Sequence, residues 1–325
     1  MFDRRSFVAG AAVAAFPFRL PAFAQSSAQS WPTRPITAIV PFPPAGNVDI
    51  TARLMAAPVA GALGQTLVVE NRPGAGGNIG NEAVAHAAPD GYTVLFTQGG
   101  IAVNQFLYKN LKYDTARDLI PVSLLVLVPN VLVVPASSPA KTFQEFVAYA
   151  KTKTLVYSSA GNGTSSHLSG ELLKRRIGIE LTHVPYRGTA LGVTDMIAGR
   201  VDVTIDNVSA LLPHISSGAL RALAVTTRER LAVLPNVPTM DEAGLKDFKS
   251  SGWTAAFLPA KTPDDIVARF SKTLADGVRR SDIRKTMEEA GNVVVGSTPE
   301  ECAKFVKDES DTWGPIIKEA NISIG

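Results

Sequence analysis

Cysteine is almost absent from this sequence: Cys302 is the only one in 325 residues. A disulfide needs two thiols, so the chain forms no internal disulfide even in an oxidising compartment. Apolar Ala303, Phe305 and Val306 follow Cys302 closely and predict the buried face of a helix. The thiol is therefore interpreted as a small apolar core side chain rather than a reactive group.

A strong excess of one charge is also missing. The sequence has 32 Lys and Arg against 29 Asp and Glu, a formal net charge of +3. Nucleic-acid-binding domains are typically strongly basic, so we expect no nucleic-acid partner. Apolar residues make up 46% of the chain and charged residues 19%, a composition that supplies a sizeable core and excludes a disordered chain.

Metal-binding patterns are missing as well. The four histidines are His86, His167, His183 and His214, and none of them forms an i,i+4 pair or lies beside a Cys-x-x-Cys motif. Protein zinc sites commonly use such spacings. A metal-binding protein is therefore a disfavoured interpretation, and we expect no bound metal.

Glycine is concentrated at residues 71–80, which resemble a dinucleotide-binding loop but lack its spacing. Gly74 and Gly76 would require Gly or Ala at position 79, where Ile79 stands, and no Gly-Lys-Ser/Thr follows. The stretch is better interpreted as a tight turn between a strand and a helix. We therefore expect the protein to have no cofactor.

The first 24 residues have the features of an export signal. Arg4 and Arg5 precede an apolar run at residues 9–18, and Ala22 and Ala24 offer small side chains for cleavage. The run contains a proline and is much shorter than the roughly 20 residues of a membrane span, so an anchor is not expected. We expect cleavage after Ala24 and a periplasmic protein, exported by the twin-arginine or the Sec route.

A strand, a small-residue loop and a helix follow one another early in the chain. Residues 36–40 are apolar and largely β-branched, which predicts a buried parallel strand, and an amphipathic helix begins near Asp49. Prolines and Gly46 lie between them, and Asn47 is expected to cap the helix. The free amides at such a helix start attract an anion. An ordinary βα turn is the alternative interpretation.

The same pattern occurs again about 120 residues later, at residues 155–168. There, too, an apolar strand meets a loop of small residues and then a helix. A further predicted strand, residues 92–97, ends at Thr97 and Gln98. Ligands of open α/β sheets bind at the carboxyl ends of strands, so all three loops are candidate contacts.

Alternating strands and helices predict an α/β fold with two lobes and a ligand cleft between them. The apolar run at residues 119–134 contains Pro121 and Pro129 and is expected to form two extended segments. Two chain crossings would separate the lobes. We assign residues 31–128 plus 226–325 to lobe one and residues 129–225 to lobe two, so that the loops at 42–47 and 162–167 face one ligand.

Several motifs resemble those of one family, and they occur in the family's order. They are Trp-Pro-Thr-Arg-Pro-Ile at 31–36, Val-Pro-Phe-Pro-Pro-Ala-Gly at 40–46, Val-Glu-Asn-Arg-Pro-Gly-Ala-Gly-Gly-Asn-Ile-Gly at 69–80, Pro-Asp-Gly-Tyr-Thr at 89–93, Gly-Asn-Gly-Thr-Ser-Ser-His-Leu at 161–168, Val-Pro-Tyr-Arg-Gly at 184–188, Leu-Arg-Ala-Leu-Ala-Val at 220–225 and Val-Pro-Thr at 237–239. The chain resembles the periplasmic solute-binding receptors of tripartite tricarboxylate transporters, often called Bug proteins. The resemblance covers essentially the whole mature chain.

The resemblance implies a periplasmic binding fold of the second type that closes on a small carboxylate. In the family, backbone amides and ordered water of two βα loops hold one carboxylate, and the position of Asp206 often faces the ligand's variable end. With the strand-end loop added, the predicted contacts are Phe42, Pro43, Pro44, Ala45, Gly46, Asn47, Thr97, Gln98, Asn162, Gly163, Thr164, Ser165, Ser166, His167 and Asp206.

This chain departs from the family pattern at two places. In the first loop, Ala45 replaces a usual glycine, and Asn47-Val48 stands where Ser-Thr is usual. After Trp253, Thr254-Ala255 replaces a usual small turn residue. We expect the first departure to affect the geometry of the loop and the second to reshape the wall of the cleft.

The expected function is that of a monomeric, non-catalytic receptor. It would capture a di-, tri- or aromatic carboxylate and deliver it to membrane transporter subunits or to a sensor kinase. Valine at Gly46 or Gly163 is expected to weaken binding more than alanine at Ser165 or Ser166 does.

The alternative is a secreted serine hydrolase that uses Ser165 or Ser166, His167 and Asp206. It is disfavoured because no Gly-x-Ser-x-Gly motif occurs, and a serine one or two residues from its histidine on a helix points elsewhere.

Overall fold

The computed structural model describes residues 31–248, 250–319 and 321–324. The predicted export signal lies outside the described residues, so its cleavage and the export route stay predictions. None of the helices in the described ranges is both long enough and apolar enough to cross a bilayer.

Strands and helices alternate from Ile36 onward, as the sequence predicts. The strands are β1 (Ile36–Val40), β2 (Leu67–Asn71), β3 (Thr93–Thr97), β4 (Leu119–Pro135), β5 (Leu155–Ser159), β6 (Leu181–Pro185), β7 (Val203–Asn207), β8 (Leu220–Val225), β9 (Ser251–Pro259) and β10 (Val293–Val294). The helices are α1 (Asn47–Leu54), α2 (Ala56–Leu63), α3 (Asn78–Ala85), α4 (Gly100–Leu107), α5 (Thr115–Asp118), α6 (Phe143–Ala150), α7 (Ser165–Ile177), α8 (Thr189–Ile197), α9 (Val208–Ser216), α10 (Asp264–Val278), α11 (Ser281–Glu289) and α12 (Pro299–Glu319).

The strands pair in the order β2-β1-β3-β9-β4-β7-β5-β6, and β8 and β10 also pair with β4. One parallel group contains β1 with its neighbours β2 and β3, and the other contains β5 with β6 and β7. The first part of β4 is antiparallel to β9, and its last part is antiparallel to β7 and β8. The predicted two-lobed α/β fold is confirmed, with β4 connecting its two groups of strands.

The expectation of two extended segments at residues 119–134 was wrong, because β4 is one continuous strand. Its register with β9 shifts between Pro121 and Ser123, and Pro129 is the last residue that pairs with β9 before Asn130 pairs with β7. Proline has no backbone N–H to donate to a neighbouring strand. At a bulge, or where the pairing partner changes, that hydrogen bond is not needed. Both prolines therefore fit within one strand.

Each group of strands is buried on both faces. On β1, Ile36 and Ala38 pack into one core and Ile39 into another. On the last part of β4, Leu132 packs into a third core and Val133 into a fourth. Alternate side chains of a strand point to opposite faces, so helices on both faces are needed to cover these apolar positions.

The predicted lobe boundaries stay a prediction. Leu231 and Leu234 pack into one core of the second group, and Met240 and Phe248 pack into the other. Because these residues follow position 226, their packing favours a return to lobe one near Ser250 rather than near residue 226.

Candidate ligand-binding site

A cavity lies beside β4 where the two groups of strands meet. The space within it that the centre of a water molecule can occupy is about 140 Å³. Its described lining consists of Phe42, Asn47, Gly76, Gln98, Gly99, Gly100, Val103, Asn104, Tyr108, Val128, Ala160, Asn162, Gly163, Thr164, Ser165, Ser166, Leu168, Asp206, Asn207, Ser251, Gly252, Trp253, Glu309 and Trp313. The loops after β1, β2, β3 and β5 and the carboxyl end of β7 thus reach one cavity.

The structure brings part of the predicted site together. The predicted residues in the lining are Phe42, Asn47, Gln98, Asn162, Gly163, Thr164, Ser165, Ser166 and Asp206. Outside the lining lie Pro43, Pro44, Ala45, Gly46, Thr97 and His167. Thr97 is fully buried, where its hydroxyl donates to Asn81 Oδ1 at 3.2 Å. Thr97 therefore supports the strand end from behind, whereas residues 43–46 are exposed beside the cavity.

The first loop is held by a buried carboxylate. Asp49 accepts hydrogen bonds from the Ala45 amide, Arg53 Nε and Asn71 Nδ2, each at 2.9 Å. Burial opposes ionisation of Asp49, but these hydrogen bonds outweigh it and hold the pKa below its ordinary value. The carboxylate thereby fixes Ala45 in a left-handed conformation, φ 66°, which is unfavourable for a residue with a Cβ.

The two departures from the family pattern meet at the start of α1. The expectation that Asn47 caps the helix was wrong, because Gly46 is the N-cap and Asn47 is the first helical residue. The Asn47 side chain instead accepts from Thr254 Oγ1 at 3.2 Å and donates to Asn292 Oδ1 at 3.2 Å. Thr254 is fully buried, so the cleft wall and the first loop share a hydrogen bond.

The second loop is held by uncharged side chains. Thr164 caps α7 by accepting from the His167 amide, and Ser166 Oγ accepts from the Ala160 amide at 2.9 Å. Gly161 has φ 133° and Gly163 has φ 76°, conformations that favour glycine. In the second loop, both of these residues with positive φ are glycines. In the first loop, the residue with positive φ is an alanine, Ala45.

His167 shapes the second loop from behind. Its Nδ1 accepts from the Gly163 amide at 3.0 Å, and its ring stacks on His183 with centroids 4.1 Å apart. Burial lowers the pKa of both histidines to about 4. This hydrogen bond requires the neutral imidazole of His167, because a protonated ring has no lone pair to accept a hydrogen bond from the Gly163 amide.

A serine-hydrolase triad is not assembled. In the described chain, His167 makes its side-chain hydrogen bond with Gly163, not with Ser165, Ser166 or Asp206. The Asp206 carboxylate accepts from Thr189 Oγ1 at 2.8 Å and from an adjacent amide at 2.7 Å. A catalytic histidine must hydrogen-bond to both the nucleophile and the orienting carboxylate, and in the described chain the His167 ring does so with neither.

A metal-binding cluster and an accessible thiol are both missing from the part of the chain that the structure describes. Within residues 31–248, 250–319 and 321–324, no three His, Cys, Asp or Glu side chains form a cluster able to hold a metal ion. Cys302 is fully buried, and burial raises the pKa of its thiol to about 12.

Helix starts are the main donors at the cavity. The first amides of a helix have no partner within it. In α1 the N-cap makes no side-chain hydrogen bond, and the same holds for α4. In α4, however, the amides of Ile101 and Ala102 already donate to the carbonyls of Gln98 and Gly99, so the Gly100 amide is the one that remains in its first turn. In α7 the cap of Thr164 takes only the His167 amide, which leaves the amides of Ser165 and Ser166 for a ligand. Anions are stabilised at such positions.

Sequence reasoning missed part of the lining. Glu309 and Trp313 come from α12, near the end of the chain, and no local pattern marks them. Asn207 adjoins the predicted Asp206, and Gly99 and Gly100 follow the predicted Gln98. The rule that ligands of α/β sheets bind at the carboxyl ends of strands also indicates Gly99, Gly100 and Asn207, if it is applied to every residue that follows or ends a strand.

Known proteins resemble this chain over most of its length. A family model described as "Tripartite tricarboxylate transporter family receptor" matches residues 51–322. The chain is 39% identical over 297 residues to the "UPF0065 protein in tcbD-tcbE intergenic region" of Pseudomonas sp. (strain P51), covering 90% of this chain and 88% of that protein. It is 35% identical over 302 residues to "Protein BugT" of Bordetella pertussis, covering 92% of this chain and 93% of that protein.

Solved structures are similar over the same length. "R. palustris Rpa4515 with adipate" matches with a TM-score of 0.82 and 36% identity, covering 90% of this chain and 100% of that one. "MatC (Rpa3494) from Rhodopseudomonas palustris with bound malate" matches with a TM-score of 0.78 and 34% identity, covering 88% of this chain and 100% of that one. Both of these similar proteins hold a small carboxylate.

Proposed function

The chain belongs to the tripartite tricarboxylate transporter receptor family, and we propose that it captures a small carboxylate in the cavity between its two groups of strands. It then delivers this ligand to membrane transporter subunits or to a sensor. The similar structures with adipate and malate support the ligand class. Two groups of strands around one cavity suit capture and release of a small molecule.

The observation that carries the proposal is the meeting of three helix starts at one cavity. The starts of α1, α4 and α7 all contribute to the lining, and no described lining residue is Lys, Arg or His. Helix amides and the dipole stabilise an anion by roughly 0.3–1 kcal/mol at each start and up to about 2 kcal/mol when partly buried. We therefore assign the ligand's carboxylate to these amides.

We further propose that the protein is not an enzyme. The support is the hydrogen bond between His167 and Gly163, which engages the histidine next to the candidate serines in holding the loop. Periplasmic location after cleavage at Ala24, export by the twin-arginine or the Sec route and a monomeric state complete the proposal. They rest on the sequence and on the family.

A thermal-shift screen of carboxylates tests the proposal. A ligand at 100 times its Kd adds about 2.7 kcal/mol to the stability of the folded state. We expect at least one of adipate, malate, citrate or benzoate to raise the melting temperature, and the matching amides to have no effect. Ser165→Ala should weaken binding by about 0.5–1.5 kcal/mol because the backbone donors remain.

Two results would contradict the proposal. One is a set of carboxylates that leaves the melting temperature unchanged at millimolar concentrations. The other is turnover of a carboxylic ester that disappears in Ser165→Ala while carboxylate affinity is retained. Calorimetric titration and an ester-hydrolysis assay on the same preparation distinguish these outcomes.

A further inference from the structure

Glu309 is shared by the ligand cavity and a second, larger cavity, which we call the outer cavity. The space that the centre of a water molecule can occupy in the outer cavity is about 800 Å³. Glu309, Trp313 and Ser251 line both cavities, and Glu309 is half-buried. A proton can therefore reach the Glu309 carboxyl from the outer cavity while a ligand occupies the other one.

Two tryptophans hold Glu309 in place. Trp253 Nε1 donates to Glu309 Oε2 at 2.9 Å, and Trp313 also donates to this carboxylate. Both tryptophans are buried and belong to the same hydrophobic core. Because an indole is a neutral donor, the two hydrogen bonds fix the position of the carboxylate without neutralising its charge.

The surroundings of Glu309 do not supply a cationic partner. The strands β4 and β9 and the helix α4 contain no charged residue, and no charged residue of α10 lines either cavity. The charged residues that share the outer cavity with Glu309 are Arg176, Arg228, Glu229, Arg230, Asp247 and Asp308. In the described chain, none of these three arginines forms an ion pair or a hydrogen bond with Glu309, since Arg176 donates to the Asp247 carbonyl and Arg230 to Glu242. Buried charges are usually paired, so the charge of Glu309 is poorly compensated.

The start of α4 brings the charge of a ligand close to Glu309. The Gly100 amide is the donor that remains in the first turn of this helix. A Cβ on the preceding Gly99 would lie 3.5 Å from Trp253 Nε1, the atom that donates to Glu309. A carboxylate at this helix start and the Glu309 carboxylate are therefore both neighbours of one indole. When two carboxylates share a site, the pKa of one of them rises strongly.

Resting on the proposed function, we propose that Glu309 takes up a proton when a carboxylate binds, so that capture of the ligand is coupled to proton uptake. The ligand stays ionised, because the amides at the starts of α1, α4 and α7 donate to it. Glu309 becomes neutral, since it has no cation beside it, and its protonated form keeps lone pairs for both indoles. Affinity then falls as the pH rises above the value at which Glu309 of the free protein loses its proton.

The other titratable groups of the cavity separate into two classes. Burial raises the pKa of Glu309 above its ordinary value, against the lowering effect of the two indole donors, and the charge of Asp308 raises it further. Burial also raises the pKa of Asp206 to about 6, so Asp206 is the competing proton acceptor. His167 and His183 have a pKa of about 4 and are neutral above pH 6 in either state. The test must therefore separate Glu309 from Asp206.

Calorimetry measures the protons directly. Benzoate, malate or adipate, whichever gives the largest shift in the thermal screen, is titrated between about pH 6 and pH 8, where ordinary carboxylates are ionised. Each titration is repeated in two buffers with different ionisation enthalpies, and the difference in heat gives the protons taken up per ligand. We expect the wild type to take up roughly 0.5–1 proton and its Kd to rise by up to about tenfold per pH unit.

Three variants assign the proton. Glu309→Gln removes the acceptor, so it should take up almost no proton and, at about pH 8, bind roughly tenfold more tightly than the wild type. Trp313→Phe removes one indole donor, which should raise the pKa of free Glu309 and shift the fall in affinity to higher pH. Asp206→Asn leaves Glu309 in place and should keep the proton uptake.

A matched control lies on the same helix. Glu300 is in the first turn of α12 and outside the lining of both cavities, so Glu300→Gln should bind and take up protons as the wild type does. Thermal melts verify that each variant is folded. If Glu309→Gln does not fold, the pH profile of Trp313→Phe decides, and an unchanged profile would overturn the inference.

The inference and the proposed function fail in different ways. Carboxylate binding by the wild type without proton uptake would overturn the inference and leave the proposed function standing. Uptake that persists in Glu309→Gln, or that disappears in Asp206→Asn, would do the same, because Asp206 would then be the acceptor. Failure of every carboxylate to bind would overturn both.

Discussion

The first and second ligand loops reach the same cavity by different means. The first is anchored by the charged side chain of Asp49 and has a strained alanine, Ala45, at φ 66°. The second is anchored by uncharged groups, chiefly Thr164 and His167, and has Gly163 at φ 76°. One βα design thus tolerates different anchors, provided that each loop backbone is fixed by a side chain of the following helix.

Gly163 and Gly46, one in each loop, are expected to tolerate a larger side chain to very different degrees. A Cβ at Gly163 would lie 2.5 Å from Leu107 Cδ1, and its φ is positive. At Gly46 the φ is −76° and the nearest atom would be 3.7 Å away. The structure therefore separates two positions that the sequence suggests are equally sensitive.

The largest expected effect is that of Gly163→Val. Strain and overpacking together should lower the free energy of unfolding by about 3 kcal/mol or more and abolish carboxylate binding. Gly46→Val, its matched control, should change stability by less than about 0.5 kcal/mol. Urea unfolding and calorimetric titration of both variants measure this, and equal losses in the two would refute the distinction.

The next effect concerns pH and the uncharged anchors of the second loop. His167 and His183 have a folded pKa of about 4, below the ordinary 6.5, so their contribution to stability is present above pH 6.5 and lost as the pH falls. Asp206 acts in the opposite direction, because its folded pKa of about 6 exceeds the ordinary 3.8. For these three groups, two protons against one leave about one proton, or roughly 1.4 kcal/mol per pH unit, lost on acidification, and the raised pKa of Glu309 reduces this loss.

Variants separate these contributions. Between pH 6.5 and pH 5, stability of His183→Gln should fall less on acidification than that of the wild type, whereas stability of Asp206→Asn should fall more steeply. Urea unfolding of the ligand-free proteins at several pH values provides the slopes. A wild type whose stability rises on acidification in this range would contradict the neutral state of the histidines.

A smaller effect is expected at the charged anchor of the first loop. Asp49→Ala leaves the Ala45 amide and the Asn71 side chain without their acceptor, which should cost about 1–2 kcal/mol of stability. Arg53→Ala removes only a half-exposed partner of the same carboxylate and should cost less than about 1 kcal/mol. Thermal and urea unfolding compare the two, and a larger loss for Arg53→Ala would show that the ion pair is the anchor.

The smallest effect is a gain. Ala45→Gly relieves a left-handed alanine and should stabilise the protein by about 0.5–1 kcal/mol. Lys261, at φ 67° and outside the cavity lining, is the matched control. Both glycine variants should gain similar stability, whereas only Ala45→Gly should change carboxylate affinity. Destabilisation by Ala45→Gly would show that loop flexibility outweighs relief of the strain.

Local patterns were sufficient for much of the fold. β1, β3 and β5 and the loops after them follow from apolar runs that end in small residues. Local patterns failed where a side chain binds residues that are distant in the sequence. Asn47 has the right side chain for a cap, yet Thr254 and Asn292 engage it and Gly46 occupies the cap position.

The sequence by itself determined the α/β alternation, the family, and the two loops that meet at the cavity, because each of these is recorded in a short run of neighbouring residues. Only the tertiary structure decided that β4 runs unbroken through both groups of strands and that Glu309 and Asp206 line the same cavity. Such juxtapositions depend on how separate elements pack. A residue on α12 can line the cavity only after α12 has packed against the sheet, and no periodicity within the helix records that partner.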